Sequence, residues 1–398
     1  MTERTEVVVI GGGYAGVMAA NRLTRRDDVT VTLINPRPAF VERIRLHQLV
    51  GGSDDAVVDY QEVLAVGVRR VVDTVARIDP AGRSVSLASG GTVGYDYLIY
   101  AVGSGSADPR VPGAAGFAYP IGTLEEARRL GQVVEATPVT AAVTVVGAGP
   151  TGIETAAELA EQGRAVTLAC GEVLGPYLHP RGRRSVAKRL AELGVAVLEG
   201  PGATVTGVTA DAVRLSDGRE LPSVVTIWTA GFGVPDLAAR SGLSTDACGR
   251  LRTDETLTSV DDVRVVAVGD CAAPSDLPLR MSCQAAVQLG PQAAETVLSR
   301  IAGERPAALG LALAGQCVSL GRRAGIFQLA HRNDVATRFH LSGRAAARLK
   351  EFVCRSTVQQ LAREARRPGS LSWAPAWVKD RKRQQVLRAR RDEAWTSA

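Results

Sequence analysis

The sequence predicts an α/β protein carrying two dinucleotide-binding, parallel-sheet domains, and three observations support that prediction. A β-branched run, Val7 to Ile10, opens directly into Gly11-x-Gly13-x-x-Gly16 and a helical pattern through Val17, Ala20 and Leu23. The same order recurs at Val143 to Val146, followed by Gly147-x-Gly149-x-x-Gly152 and a helix bearing Ile153, Ala156, Ala157 and Ala160. After each loop comes a turn-rich stretch that reads as a small β-meander, then an apolar strand that ends in small residues. These strands are YDYLIYAVGS from Tyr95 and VVTIWTAGF from Val224.

Each glycine has a separate task in such a loop. One permits the tight turn, another lets a pyrophosphate approach the backbone, and the third packs the helix on the strand, with the helix N-terminus facing the negative charge. The strand after the first helix, Val29 to Ile34, ends at Asn35, where a ribose-binding carboxylate usually stands. The expected ribose contact is therefore a neutral one. The strand after the second helix, Ala165 to Ala169, ends at Cys170, again without a carboxylate. Arg181, Arg183 and Arg184 follow, either to attract a 2′-phosphate or as a solvated helix start, so NADH versus NADPH stays open. A further strand, Val263 to Val268, runs into Gly269-Asp270, which puts a carboxylate at the mouth of a sheet to hold a polyol hydroxyl or cap the next helix. Two nucleotide loops in one chain imply electrons passing between two dinucleotides, most simply NAD(P)H and FAD.

Composition narrows the class. The 398 residues are 45% apolar, which excludes a largely disordered or fibrous chain. No apolar run approaches the roughly 18 residues of a membrane span, and Val7 to Ile10 is too short for a signal-peptide core, so the expected compartment is the cytoplasm. The formal net charge of +6 is unevenly spread. Residues 338–398 hold 15 Lys plus Arg against 5 Asp plus Glu, leaving a net −4 on the preceding 337 residues. Lysine is scarce, with none before Lys188. The six cysteines form no C-x-x-C or C-x4-C pair, which argues against a metal knuckle or a local redox dithiol.

The motifs VVVIGGGYAG, LIYAVGS, VVGAGPTGIE, IWTAGF and VVAVGD, in this order, resemble the pyridine nucleotide–disulfide oxidoreductase superfamily of two-dinucleotide-fold flavoproteins. The resemblance implies two Rossmann-like FAD/NAD(P)-binding domains (three-layer ββα), the NAD domain inserted in the FAD domain, with a helical basic C-terminal segment. It divides the chain into a first FAD segment (1–112), an NAD(P)H domain (113–254), a second FAD segment (255–310) and a C-terminal segment (311–398). By position, Gly11, Gly13, Ala15 and Gly16 would cradle the FAD pyrophosphate, with Val75 near the adenine and Asp270 on the ribityl chain. Gly147, Gly149 and Gly152 would serve NAD(P)H, and Gly103 and Gly231 end the two apolar strands beside the cofactors. Glu154 would sit beside the nicotinamide.

Absences select a branch. Disulfide reductases carry a C-x4-C after the first βαβ unit, but this chain has no cysteine before Cys170. Peroxidase relatives need a cysteine near residue 40, where the chain reads FVERIRLHQL, and no early lysine exists to partner a glutamate over the flavin. Paired cysteines of a sulfide:quinone oxidoreductase have only Cys170 and Cys354 as candidates. SCQAAVQLGPQAAETV places Gln284 and Gln288 one helical turn apart, and resembles the A-Q-x-x-x-Q stretch of type II NADH dehydrogenases. That resemblance implies hydride transfer from NAD(P)H to FAD and on to a quinone held by Gln284 and Gln288, with Glu154 in the proton path and no redox disulfide. The alternatives are a soluble flavoprotein reductase for another small molecule or a ferredoxin, and a redox-sensing flavoprotein whose tail binds a partner.

The tail reads as one helix from Ser342 to Arg367 with an apolar stripe at Leu341, Ala345, Leu349, Phe352 and Val353, followed by Trp373, Trp377 and Trp395. The stripe either packs on the FAD domain or lies on the inner face of the cell membrane with arginines toward anionic headgroups. Expected partners are a quinone or other small electron acceptor, that membrane surface, and a second copy of the chain as a homodimer. Nucleic acid is not expected.

Overall fold

The structure, a computed structural model, describes residues 4–311, 313, 315–371 and 383–389. The chain begins with β1 (Thr5–Ile10), α1 (Tyr14–Leu23) and β2 (Val29–Asn35), then a short helix α2 (Leu46–Val50) and β3 (Val68–Val72). An antiparallel meander follows, β4 (Val75–Asp79), β5 (Ser84–Leu87) and β6 (Gly91–Gly94), and then β7 (Tyr97–Tyr100). β1 pairs in parallel with β2 and β7, and β2 with β3. Val7, Val8, Val9 and Ile10 are all buried, as expected of a central parallel strand covered on both faces. Val68–Val72 belongs to this parallel sheet and not to the meander that the sequence suggests. Its exposed Arg69 and Arg70 mark it as the sheet edge.

The second unit repeats the plan. Its elements are β8 (Ala118–Pro120), α3 (Leu124–Ala136), β9 (Ala142–Val146), α4 (Pro150–Glu161), β10 (Ala165–Ala169), α5 (Pro180–Glu192) and β11 (Ala196–Leu198). A second meander, β12 (Val205–Val208), β13 (Ala212–Leu215) and β14 (Glu220–Pro222), leads to β15 (Val225–Trp228). The sheet order is β8-β15-β9-β10-β11, all parallel. The chain then returns. β16 (Val265–Ala267) pairs with β7, completing a first sheet of order β16-β7-β1-β2-β3. The long helix α6 (Cys283–Ile301) packs on α1, and a side chain at Gly290 would come within 2.4 Å of the Ala15 carbonyl.

The C-terminal segment starts with a sheet that the sequence did not announce: β17 (Gly315–Ser319), β18 (Gly325–Ala330) and β19 (Ala336–Ser342), all antiparallel. The helix α7 (Gly343–Arg366) then packs against β17, β18, α1 and α6. Its buried face is Ala346, Lys350, Cys354, Thr357 and Leu361, at helical spacing. The expected apolar stripe is not the packed face: Leu341 is 43% and Phe352 65% exposed, and Ala345 is exposed too. The helix docks by polar side chains that find buried partners, which outranks the apolar pattern here. Residues 383–389 form a further helical stretch whose Arg383 pairs with Glu255 at 2.6 Å. Trp373, Trp377 and Trp395 lie outside the described residues.

Candidate active site

In the first glycine loop the protein itself requires most of the glycines. A side chain at Gly11 would come within 2.3 Å of the Ala101 carbonyl, and one at Gly16 within 1.8 Å of the Gly11 carbonyl. Gly12 is fixed from both sides: Tyr60 donates its hydroxyl to the Gly12 carbonyl (2.7 Å), and the Gly12 N–H donates to Asn35 Oδ1 (2.9 Å). Gly13 is different, because a side chain there would meet nothing within 4 Å. No protein atom demands that glycine, and the open space before it would admit a pyrophosphate. α1 begins at this point with no side-chain cap and no acidic residue in its first turn, which leaves its N–H groups for an anion. The second loop matches. Gly147 and Gly152 would collide with Thr229 Oγ1 (2.5 and 2.7 Å), Gly149 meets nothing within 4 Å, and α4 likewise lacks a cap and a first-turn acid. These two cradles fit the diphosphates of FAD and NAD(P)H.

The strand ends gather around the first loop. Gly269 lies against Ala15, which brings Asp270 beside the N-terminus of α1. Asp270 Oδ2 accepts from Ser104 Oγ at 2.7 Å and pairs with the Arg43 guanidinium at 3.4 Å. Arg43 also donates to the Gly122 carbonyl and stands 5.8 Å from the Phe232 ring centroid, so it joins the two units. Sequence reasoning passed over Arg43 and Tyr60, since neither belongs to a motif. Val75 is buried at the start of β4, and Gly103 and Gly231 follow the ends of β7 and β15. Asn35 has both ends of its amide engaged, with Nδ2 donating to the Arg37 carbonyl (2.9 Å).

Glu154, on the second turn of α4, is the centre of a buried polar cluster. Its Oε1 accepts from the Ser319 N–H (2.9 Å) and hydroxyl (3.1 Å) and pairs with Lys350 Nζ at 3.0 Å. His47 Nδ1 lies 3.7 Å from Oε2, and His47 Nε2 is 3.2 Å from Ser319 Oγ. Burial opposes the Glu154 charge, but Lys350, His47 and the Ser319 N–H outweigh it and hold the carboxyl below its usual range. Burial likewise works against the Lys350 ammonium, and Glu154 outweighs it, raising that group. For His47 burial wins over Glu154, with Lys350, Arg322 and Arg45 adding to it, and the imidazole falls to about 4. The scarcity of early lysines is thus offset by a lysine from the C-terminal helix.

α6 packs against α7, the helix that carries Lys350. Lys350, Asp270 and Glu154 all act electrostatically on the thiol of the first residue of α6, Cys283. Gln284 is half-buried on the same turn, and the Gln288 side-chain amide donates to the Gln284 carbonyl at 3.1 Å. Cys317 and Cys354 also lie around Lys350, whose Nζ is 3.5 Å from the Cys317 carbonyl. Burial pushes their thiols up to about 12 and about 11, so neither is a ready thiolate. Cys170, the other half of the pairing considered from sequence, is influenced by Glu199 instead, and burial raises it to about 12. Among the described residues no group of three or more His, Cys, Asp or Glu side chains is arranged to hold a metal ion.

Two glycine-loop cradles in one chain, each at an uncapped helix N-terminus on a parallel sheet, define a two-dinucleotide-fold flavoprotein. The chain belongs to the pyridine nucleotide-disulphide oxidoreductase family, whose model matches residues 5–293. An NADH dehydrogenase-like protein of Mycobacterium tuberculosis is 31% identical over 325 residues, covering 74% of this chain and 80% of that protein. A type II NADH:quinone oxidoreductase of the same organism is 31% identical over 348 residues, covering 76% and 74%. Among solved structures, NDH2 from Plasmodium falciparum in complex with NADH superposes with a TM-score of 0.76 at 16% identity, over 91% of this chain and 97% of that one. The sulfide:quinone oxidoreductase of Aquifex aeolicus gives 0.76 at 19% identity, over 90% and 92%. The chain is an oxidoreductase whose cofactors are FAD and NAD(P)H.

Proposed function

We propose that the protein is an FAD-dependent NAD(P)H:quinone oxidoreductase that works without a redox disulfide. The observation that carries this reading is the buried Glu154–Lys350 pair, whose lysine comes from α7, the helix packed against α6 where Gln284 sits. It supplies a charge-balanced carboxylate at a place where no thiol is ready to relay electrons, and relatives that cover three quarters of the chain are named type II NADH:quinone oxidoreductases. FAD held in the first cradle would supply the redox chemistry, taking up a hydride from the nicotinamide and passing two electrons to the acceptor. The protein's own work is positional and protonic. The N-termini of α1 and α4 hold the two diphosphates, and Asp270, oriented by Ser104 and Arg43, holds the ribityl hydroxyls. Gln284 donates its amide to a quinone carbonyl, Gln288 braces that turn, and Glu154, an ionised carboxylate beside Lys350, relays the proton that the reduced quinone oxygen takes up.

The outward face of the C-terminal segment supports a membrane-side location for this reaction. Phe339 (62% exposed), Leu341 and Phe352 stand out together with Arg338, Arg344, Arg348 and Arg355, an apolar and cationic mixture suited to an anionic lipid surface. Among the described residues no helix is long and apolar enough to cross a membrane. The decisive experiment is anaerobic reduction of the yellow protein with NADH and with NADPH, followed by a soluble quinone. Bleaching followed by rapid return of colour is expected, with Gln284→Leu slowing only the return. A reduced flavin that ignores quinone sinks the reading.

A further inference from the structure

One guanidinium stands where the two units meet at their ligand-binding ends. Arg43, on a single 3-10 turn (Arg43–Arg45) that precedes α2, donates Nη1 to Ser104 Oγ at 3.0 Å and to Asp270 Oδ2 at 3.4 Å. Its Nε donates to the Gly122 carbonyl at 3.2 Å, and its Cζ lies 5.8 Å from the centre of the Phe232 ring. Ser104 and Asp270 follow the ends of β7 and β16 in the first unit. Gly122 and Phe232 follow the ends of β8 and β15 in the second. In open parallel sheets ligands bind outside the carboxyl ends of the strands. Arg43 therefore reaches that edge of both sheets at once, close enough to Phe232 for a cation–π contact.

Holding the units together does not need this arginine. α2 does that with Leu46 and Val50, which are buried in the same apolar core as Leu130 and Ile153 of the second unit. The strand pair Gly105–Ser106 with Phe232–Gly233 joins the units again, and the Gly122 N–H donates to Ser106 Oγ at 3.0 Å. The Arg43 side chain is 30% exposed and Phe232 46% exposed, too open to be main sources of stability. What remains for Arg43 is alignment. We infer that Arg43 is a positioning residue for hydride transfer, setting the nicotinamide against the flavin by tying Gly122 and Phe232 of the second unit to Asp270 of the first. The inference rests on the two cofactors and not on the acceptor, so its failure leaves the quinone reading in place. A hydride carries two electrons and one hydrogen from NAD(P)H to FAD in a single step, leaving NAD(P)⁺, and needs no acid or base. Its rate depends on how closely and squarely the two rings face each other, and a misplacement of about 1 Å can cost about a hundredfold. A guanidinium suits this task because its planar fork serves several acceptors in fixed directions, which an ammonium on a flexible stem does not.

The test is anaerobic rapid mixing of the FAD-loaded protein with saturating NAD(P)H, with rates expressed per bound flavin. Arg43→Met is expected to slow flavin reduction roughly ten- to hundredfold, and to slow reoxidation by oxygen or a soluble quinone much less. A second readout needs no turnover. NAD(P)⁺ at saturation, added to dithionite-reduced protein, should give the long-wavelength charge-transfer absorbance of stacked rings in the wild type and little of it in Arg43→Met. Ser104 still orients Asp270 at 2.7 Å, so flavin content and melting temperature should stay near wild type. Arg43→Lys keeps the charge without the fork and should recover little of the rate. Phe232→Leu should slow reduction too, and the double variant should fall within about twofold of Arg43→Met alone, because both act through one contact. Wild-type reduction and absorbance in Arg43→Met overturn the inference. So do full recovery in Arg43→Lys, equal slowing of both half-reactions, or multiplied effects in the double variant.

Discussion

α1 and α4 occupy equivalent places in the two repeats, yet their buried charges have opposite signs. α1 buries Arg22, 3% exposed, near its C-terminal end, paired with Glu364 and with Glu295 at 2.8 Å. α4 buries Glu154 near its N-terminal end, paired with Lys350. Both Glu364 and Lys350 come from α7. The difference follows from which α7 side chain reaches each helix. A cation belongs near a helix C-terminus and an anion near the N-terminus, where each meets the favourable end of the dipole. The C-terminal helix is thus a brace that offers an anion to the first unit and a cation to the second. One of these pairs is scaffold, and the other lies where the chemistry is proposed.

The largest expected effect comes from the scaffold side. Arg22→Met leaves Glu364, fully buried, without its cation, while Glu295 keeps Arg25, and should cost about 3–5 kcal/mol of stability. Thermal unfolding should show it, while turnover per bound flavin stays near wild type. Lys350→Met should cost less, about 2–3 kcal/mol, because Glu154 keeps its Ser319 hydrogen bonds and can take up a proton. Its effect on quinone turnover should be severe. Glu154→Gln on that background should recover most of the stability but none of the turnover. If Arg22→Met and Lys350→Met depress turnover per flavin equally, the division into scaffold and chemistry is wrong.

A third prediction uses His47, which belongs to the α4 side alone. Its imidazole ionises at about 4 in the folded protein, below its ordinary 6.5. The unfolded chain therefore takes up the proton first as pH falls. Stability from this group is fully present above about 6.5 and declines toward pH 4, at up to about 1.4 kcal/mol per pH unit. Melting temperature against pH should show this acid limb, and His47→Gln should flatten it. An unchanged limb in the variant would assign the acid sensitivity to other groups.

The glycine loops and their strands were legible in the sequence because sterics demand those residues: nothing but glycine fits beside Ala101 or Thr229. The Glu154 position was legible through its offset from the second loop. Its partner was not. Lys350 arrives from a helix separated from Glu154 by about half of the chain, and a lysine among arginines in a basic tail reads as surface. The packed face of α7 failed for the same reason. Lys350, Thr357 and Glu364 are buried polar residues, so a search for an apolar stripe finds Leu341 and Phe352, which face outward. Buried ion pairs follow tertiary partners that no local period encodes.

The smallest expected effect on stability is also the sharpest comparison between the repeats. Gly13 and Gly149 have nothing within 4 Å of an added side chain, and neither has a positive backbone φ. Gly13→Ala and Gly149→Ala should therefore fold normally, with stability changed by no more than about 1 kcal/mol at an N-cap position. The methyl group enters only the space of a ligand. Gly13→Ala should purify with much less flavin, and its apoprotein should bind added FAD more weakly. Gly149→Ala should keep a full complement of flavin and show instead a raised KM for the nicotinamide nucleotide. Reciprocal results would reverse the assignment of the two cradles, and loss of flavin in both variants would mean that the repeats are coupled through α7 and not independent sites.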